Sequence, residues 1–144
     1  MEEKVPERAA ILAGFKCGRG SSLPVEYNND DDVVLAAVKQ DGLNLQYVSE
    51  RLRNNTVVVL AAAKRNNDAL QYASERLRNN SKFLLNIKKC KVLKYAGEEL
   101  RKDPVFVKEF VLKNKTAFKY VSKELRDSYG FVLDIVNERG DVFR

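Results

Sequence analysis

The chain contains no histidine, so the side chain most often used as a general base, proton relay or imidazole metal ligand near neutral pH is absent from its chemistry. Few other reactive groups remain. Cys17 lies beside Lys16 and near Arg19, cations of the kind that lower a thiol pKa and make it nucleophilic. No partner base accompanies it, and the second cysteine, Cys90, stands far away without metal-ligand spacing, so Cys17 reads as a spectator thiol in a reducing compartment. The run Gly14-Phe15-Lys16-Cys17-Gly18-Arg19-Gly20-Ser21-Ser22 has the glycine content of a phosphate-cradling loop. It lacks the Gly-Lys-Ser/Thr ending and the preceding strand that such a loop needs, and reads as a linker. Asp30-Asp31-Asp32 has the charge for a cation site, yet carboxylates at a helix start are explained by capping and by the helix dipole. No catalytic residue, metal site or cofactor is expected.

Binding chemistry is better represented. Tyr47, Tyr72, Tyr95 and Tyr120 recur at one repeat position, suited either to packing between repeats, the preferred reading, or to stacking on bases and anchoring a protein partner. On the opposite side of the second helices, residues spaced by four and three share an exposed face. This face reads Gln46, Glu50, Arg53, then Gln71, Glu75, Arg78, then Lys94, Glu98, Arg101, then Lys119, Lys123, Arg126, turning basic toward the C-terminal half. Lys82, Lys88, Lys89 and Lys91 add to that half. The predicted partner-binding set is Lys94, Glu98, Arg101, Lys119, Lys123 and Arg126 with Lys88 and Lys91. The recurring Arg53, Arg78, Arg101 and Arg126 also suit the last turn of a helix, where a cation complements the dipole and bonds free carbonyls.

The elements that must carry these residues come from self-similarity. Residues 29–53 return as 54–78, then as 79–101 with two residues missing, then as 102–126, and a partial unit occupies 127–144. Val33-Val34-Leu35-Ala36-Ala37 recurs as Val58-Val59-Leu60-Ala61-Ala62, and Leu45 to Arg53 recurs almost unchanged as Leu70 to Arg78. Each unit of about 25 residues begins at a capping residue, namely Asp30, Asn55, Asn80, Asp103 or Ser128, and Pro104 takes the first helical position after Asp103. A first helix with Val34, Ala37 and Val38 inward, matched by Val59, Ala62 and Ala63, is expected to close near Asp41-Gly42, Asn66-Asn67, Asn114-Lys115 and Arg139-Gly140 through the left-handed conformation that glycine and asparagine tolerate. The third unit must turn more tightly, around Cys90. A second helix is expected with Leu45, Val48 and Leu52 buried, and with counterparts Leu70, Ala73, Leu77, then Leu93, Ala96, Leu100, then Phe118, Val121, Leu125. Ser49, Ser74, Gly97 and Ser122 share one position, where size for close helix approach is the expected requirement. Such short helices are marginal alone. The predicted fold is therefore all-α, with helix-turn-helix repeats stacked as a short α-solenoid.

Residues 1–28, with four basic and four acidic residues, read as an N-terminal cap: a helix over Pro6–Lys16 with Ala9, Leu12 and Phe15 inward, then a linker through Gly18–Pro24. The net charge of +6 thus resides in the repeats. Phe143 falls where Leu45 and Phe118 sit, so the array either continues in a longer chain or closes on a half-unit. The start has acids where a secretory signal is basic, and no run approaches the ~18 apolar residues of a membrane span. These features point to a cytoplasmic protein without membrane contact, or one delivered into a host cell without a cleavable signal.

The string from Asp32 to Arg53, with its alanine-rich first helix and Leu-Gln-Tyr-Val-Ser in the second, resembles the uncharacterised repeat family described as domain of unknown function 4116. The likeness covers roughly residues 29 to 126. It weakens where Asn86 and Glu109 replace alanine, resting there on Tyr95, Tyr120 and Glu-Leu-Arg. Similar repeats occur in protists, intracellular bacteria and large viruses, which implies life within a eukaryotic host. The resemblance implies no activity and no functional residues. The expected function is a non-enzymatic scaffold for a protein partner. RNA or DNA binding through the basic half and a small effector or inhibitor of a partner enzyme are the alternatives.

Overall fold

A computed structural model describes residues 4–20, 22–87, 89 and 91–138. Within these residues every regular element is helical, and the chain divides into two compact parts, residues 1–74 and 75–144.

In the first part, α1 (Lys4–Lys16) precedes a 3₁₀ turn at Val25–Tyr27, and α2 (Asp31–Gln40) opens the first repeat. The predicted caps form. Asp30 accepts from the amides of Asp32 and Val33, and Asn55 accepts likewise from Val57 and Val58 at the start of α4 (Thr56–Arg65). Val33, Val34, Ala37 and Val38 of α2, and Val58, Val59, Ala62 and Ala63 of α4, are buried, each larger side chain contributing on the order of 1.5–3 kcal/mol relative to exposure. In α1, Phe15 is buried and Leu12 half-buried, but Ala9 is exposed. A methyl group has little area to lose from the surface.

The first helices do not end as expected. Asp41, Asn66 and Asn114 close them at φ −142°, −151° and −138°, which is extended backbone and not left-handed. Asp41 and Asn66 instead turn their side chains forward to accept from Leu43 and Asp68, thereby capping the next segment. Gly42 serves close approach: a Cβ there would lie 2.3 Å from the carbonyl oxygen of Ala62. The predicted closure at Arg139-Gly140 and the tight turn at Cys90 fall outside the described residues.

The second helix is also divided. Gly42–Tyr47 and Asn67–Tyr72 are 3₁₀ helices, followed after a break by the single α-turns α3 (Glu50–Arg53) and α5 (Glu75–Arg78). A hydrogen bond to the residue just before the repeat makes the break. The amide of Ser49 donates to the carbonyl of Asn28 (2.9 Å), and that of Ser74 to Arg53 (3.0 Å), so neither amide extends the helix that precedes it. Ser49 then caps α3 with its hydroxyl, which also donates to Asn29 Oδ1 at 2.7 Å; Ser74 makes the same bond to Asn54. The recurring small residue is thus a cap and an inter-repeat tie. The predicted inward residues Leu45, Val48, Leu52, Leu70, Ala73 and Leu77 are nevertheless all buried, because a 3₁₀ turn, a break and an α-turn still return them to one side.

In the second part, α6 (Ser81–Ile87), α7 (Val92–Tyr95) and α8 (Glu98–Lys102) form the third unit. The fourth unit comprises α9 (Pro104–Lys113), a 3₁₀ helix at Lys115–Tyr120 and α10 (Lys123–Arg126), before α11 (Tyr129–Glu138). Asn80, Asp103 and Ser128 accept first-turn amides as expected, and Pro104 holds the first helical position. Gly97 replaces serine, and its amide still donates to the carbonyl of Arg78 at 2.7 Å. Leu84, Leu93, Val107, Phe110 and Ile135 fill this core, while Leu100, Phe118 and Leu125 are only half-buried.

Candidate functional site

The basic residues expected to meet a partner lie on the surface of the second part. Lys91, Lys94, Glu98, Arg101, Lys119, Lys123 and Arg126 are all exposed, and Lys88 lies outside the described residues. The division of the second segment changes how they are held. Lys94 lies over the ring of Tyr95 (5.2 Å to the centroid) and Lys119 over that of Tyr120 (5.1 Å). In this geometry the ring's negative face attracts the ammonium group. Both pairs occupy the same repeat position. The tyrosines are half-buried in units two to four and more open in unit one, where Tyr47 is 47% exposed.

A depression of about 230 Å³ brings Glu98, Arg101 and Lys123 together with Lys102, Tyr120, Ser122 and Glu124. Lys102 donates to Glu98 one helical turn away at 2.8 Å. That hydrogen bond holds the Glu98 carboxyl below its ordinary range and raises Lys102. Arg101, Lys123 and Glu124 thus flank one neutralised pair, a mixed-charge surface with Tyr120 as an aromatic wall.

The other sequence candidates resolve into structural roles. Asp30 accepts two bonds from Arg8, Asp32 accepts a third, and Asp31 pairs with Arg51 at 2.6 Å, so the aspartate run is held by arginines as well as by capping. The Cys17 thiol donates to the Ala13 carbonyl at the end of α1. Arg53 and Arg78 tie repeats together through their backbone carbonyls, a role distinct from the expected dipole contact.

Sequence reasoning passed over a second surface, in the first part. Two adjoining troughs of about 780 and 450 Å³ open on the outer faces of α1, α2 and α4. From α2 they take Asp32, Leu35, Ala36, Lys39 and Gln40; from α4, Val57, Leu60, Ala61, Lys64 and Arg65. These are equivalent repeat positions, 25 residues apart. The signal was available: Val33–Val38 and Val57–Ala63 are unbroken apolar runs, longer than one buried face of a helix requires. Arg8 near the start of α1 meets the start of α2, and the Gln40 side-chain amide at the end of α2 donates to the carbonyl of Gly20, just past α1. The two helices therefore run in the same direction. Arg65, ending α4, donates to the carbonyl of Gln40, so α4 ends at the same edge.

Capped helices of similar length, recurring at a fixed interval and joined by equivalent backbone bonds, define a tandem helical-repeat protein. The chain belongs to the family described as domain of unknown function (DUF4116), whose model matches residues 30–78 and again 83–126. No curated protein and no solved structure matches the chain. Among the described residues, no helix is long and apolar enough to cross a membrane.

Proposed function

We propose that this chain is a non-enzymatic scaffold that binds a protein partner through the exposed face of the second segments in residues 92–126, its repeats stacking as a short α-solenoid. The observation that carries the reading is the repeated lysine-over-tyrosine pair at Lys94–Tyr95 and Lys119–Tyr120, the second of which has its ring in the depression that gathers Glu98, Arg101 and Lys123. An aromatic ring with a cation above it and a carboxylate nearby provides apolar area, charge and hydrogen-bond acceptors together, and tyrosine and arginine, present here as Tyr120 and Arg101, are enriched at protein interaction hot spots. The inter-repeat bonds from Ser74 and Gly97, with the equivalent bond from Ser49 to the N-terminal segment, support stacking, because each ties a unit to what precedes it in the same way.

A protein ligand is favoured over nucleic acid because Glu98 and Glu124 line the same depression as its cations, and phosphate backbones select against carboxylates at their contacts. Charge reversal at Lys94, Lys119, Lys123 and Arg126 together tests the reading. The helical circular dichroism should be preserved, and partner capture from a host-cell lysate should drop sharply. Capture at the wild-type level by a folded variant contradicts the assignment of this face.

A further inference from the structure

α2 and α4 carry more apolar surface than their packing uses. Leu35, Ala36, Leu60 and Ala61 remain half-buried, and Val57 is 62% exposed. They floor the two adjoining troughs, whose common wall is Leu35 with Lys39 and Arg65. At the edge where α1, α2 and α4 all end, Lys16, Lys39, Lys64 and Arg65 occupy the last turns. The one lining acid, Asp32, stands at the opposite end of α2 and is engaged by Arg8. Helix dipoles account for each cation separately but not for the uncovered apolar floor beside them. In the fourth unit the same face is treated differently. Lys108 and Glu109, at the positions of Leu60 and Ala61, form ion pairs with Glu138 (2.6 Å) and Lys113 (2.8 Å).

We infer that this face of α1, α2 and α4 is a docking groove for an amphipathic helix of a partner protein, with apolar residues at i, i+3 or i+4 and i+7 and a carboxylate-rich end. Charge complementarity selects this occupant. A second copy packed on this face with its helices parallel would bring cations against cations at the edge, and packed antiparallel would meet Asp32, already engaged by Arg8, whereas an acidic helix end complements Lys16 and Lys39. A ten-residue helix is about 15 Å long, enough to seat anchors from i to i+7, in the manner of helix-in-groove recognition. The surface is separate from the one proposed for the C-terminal half.

The test is selection of a phage-displayed library of helical peptides on the immobilised full chain, with apolar or polar residues allowed at the anchor positions and acidic or basic residues at either end. Val57→Glu and Lys39→Glu are the variants. The first adds a carboxylate to the first turn of α4, where the dipole favours it, so the fold is retained and circular dichroism checks it. Enriched clones should carry apolar anchors and an acidic end. The corresponding synthetic peptides should bind each variant about tenfold more weakly or worse, and should bind the C-terminal charge-reversal protein as they bind wild type. Absence of enrichment, clones with basic or uncharged ends, or affinities that neither variant reduces would overturn the proposal. Phosphatidylserine vesicles that bind wild type but neither variant, or self-association abolished by Val57→Glu, would likewise overturn it and assign the groove to lipid or to a second copy.

Discussion

Replacing Gly97 with serine should make this protein more stable, contrary to the usual consequence of filling a buried glycine. Gly97 has φ −61° and ψ 156°, within reach of any residue, so no backbone strain opposes the change. A Cβ there would fall 1.8 Å from Asn79 Oδ1, but that atom ends a side chain that can rotate. It is also buried without a hydrogen-bond partner. In units one and two the equivalent asparagines, Asn29 and Asn54, accept from the serine hydroxyl at 2.7 Å. Gly97→Ser therefore supplies the missing donor, along with a side-chain cap for α8. The cap is worth a few tenths of a kcal/mol over glycine, the hydrogen bond about 1 kcal/mol, and the restricted unfolded chain about 0.5 kcal/mol. Set against the cost of moving Asn79, a net gain of about 1 kcal/mol is expected, or roughly 3–6 °C in Tm. Gly97→Ala is the control, since it displaces Asn79 equally and offers no hydroxyl. Thermal melts and urea titrations of the three proteins compare them, the urea midpoint shifting at constant slope. If Gly97→Ser is no more stable than Gly97→Ala, the cap-and-tie role assigned to this repeat position is wrong.

Two further substitutions probe the first part. Asn44 is buried, donates to the Ala37 carbonyl and accepts from the Leu23 amide, both at 3.1 Å; the Ala37 carbonyl also accepts from the Asp41 amide, so Asn44→Ala leaves the buried Leu23 amide unpaired and should cost about 1–3 kcal/mol in urea denaturation. The Asp30 carboxyl is held below its ordinary range, first by the hydrogen bonds from Arg8, against the opposing effect of partial burial, and further by the Val33 and Asp32 amides. The folded state thus releases this proton more readily than the unfolded one. Its stabilisation is complete above an unfolded pKa of about 3.9 and is lost as pH falls through the lower folded value. Asp30→Asn keeps an acceptor for the cap and removes the charge, so wild type should melt higher than the variant at neutral pH, with the gap narrowing as pH falls below the unfolded value of about 3.9; a gap independent of pH contradicts the pairing.

What the sequence revealed, and what it did not, follows the range of the interactions. Asp30, Asn55, Asn80, Asp103 and Ser128 were legible as caps because a cap bonds amides two or three residues away. The inward Val34, Ala37, Val59 and Ala62 were legible from their spacing. The break at Ser49 was not, because the carbonyl that takes its amide belongs to Asn28, outside any local window. Gly42 likewise carried the ordinary signal of a helix end, whereas its constraint comes from Ala62. Recurrence of the small residue at 49, 74, 97 and 122 suggested size more than the hydroxyl, and only the partners Asn29 and Asn54, distant in sequence, show what the hydroxyls of Ser49 and Ser74 bond. The exposed cations of residues 91–126 were found where charge patterning put them. Leu35 and Leu60 were passed over because apolar residues beside a buried face look like more of the core.

The proposal of a protein-binding scaffold is tested most directly by affinity capture with the full chain from a host-cell lysate, quantified by mass spectrometry with and without nuclease digestion. The account predicts one set of partner proteins, retained at the same abundance after digestion. Loss of the captured proteins on nuclease treatment, with nucleic acid recovered from the undigested sample, would contradict it and make the basic half a nucleic-acid surface.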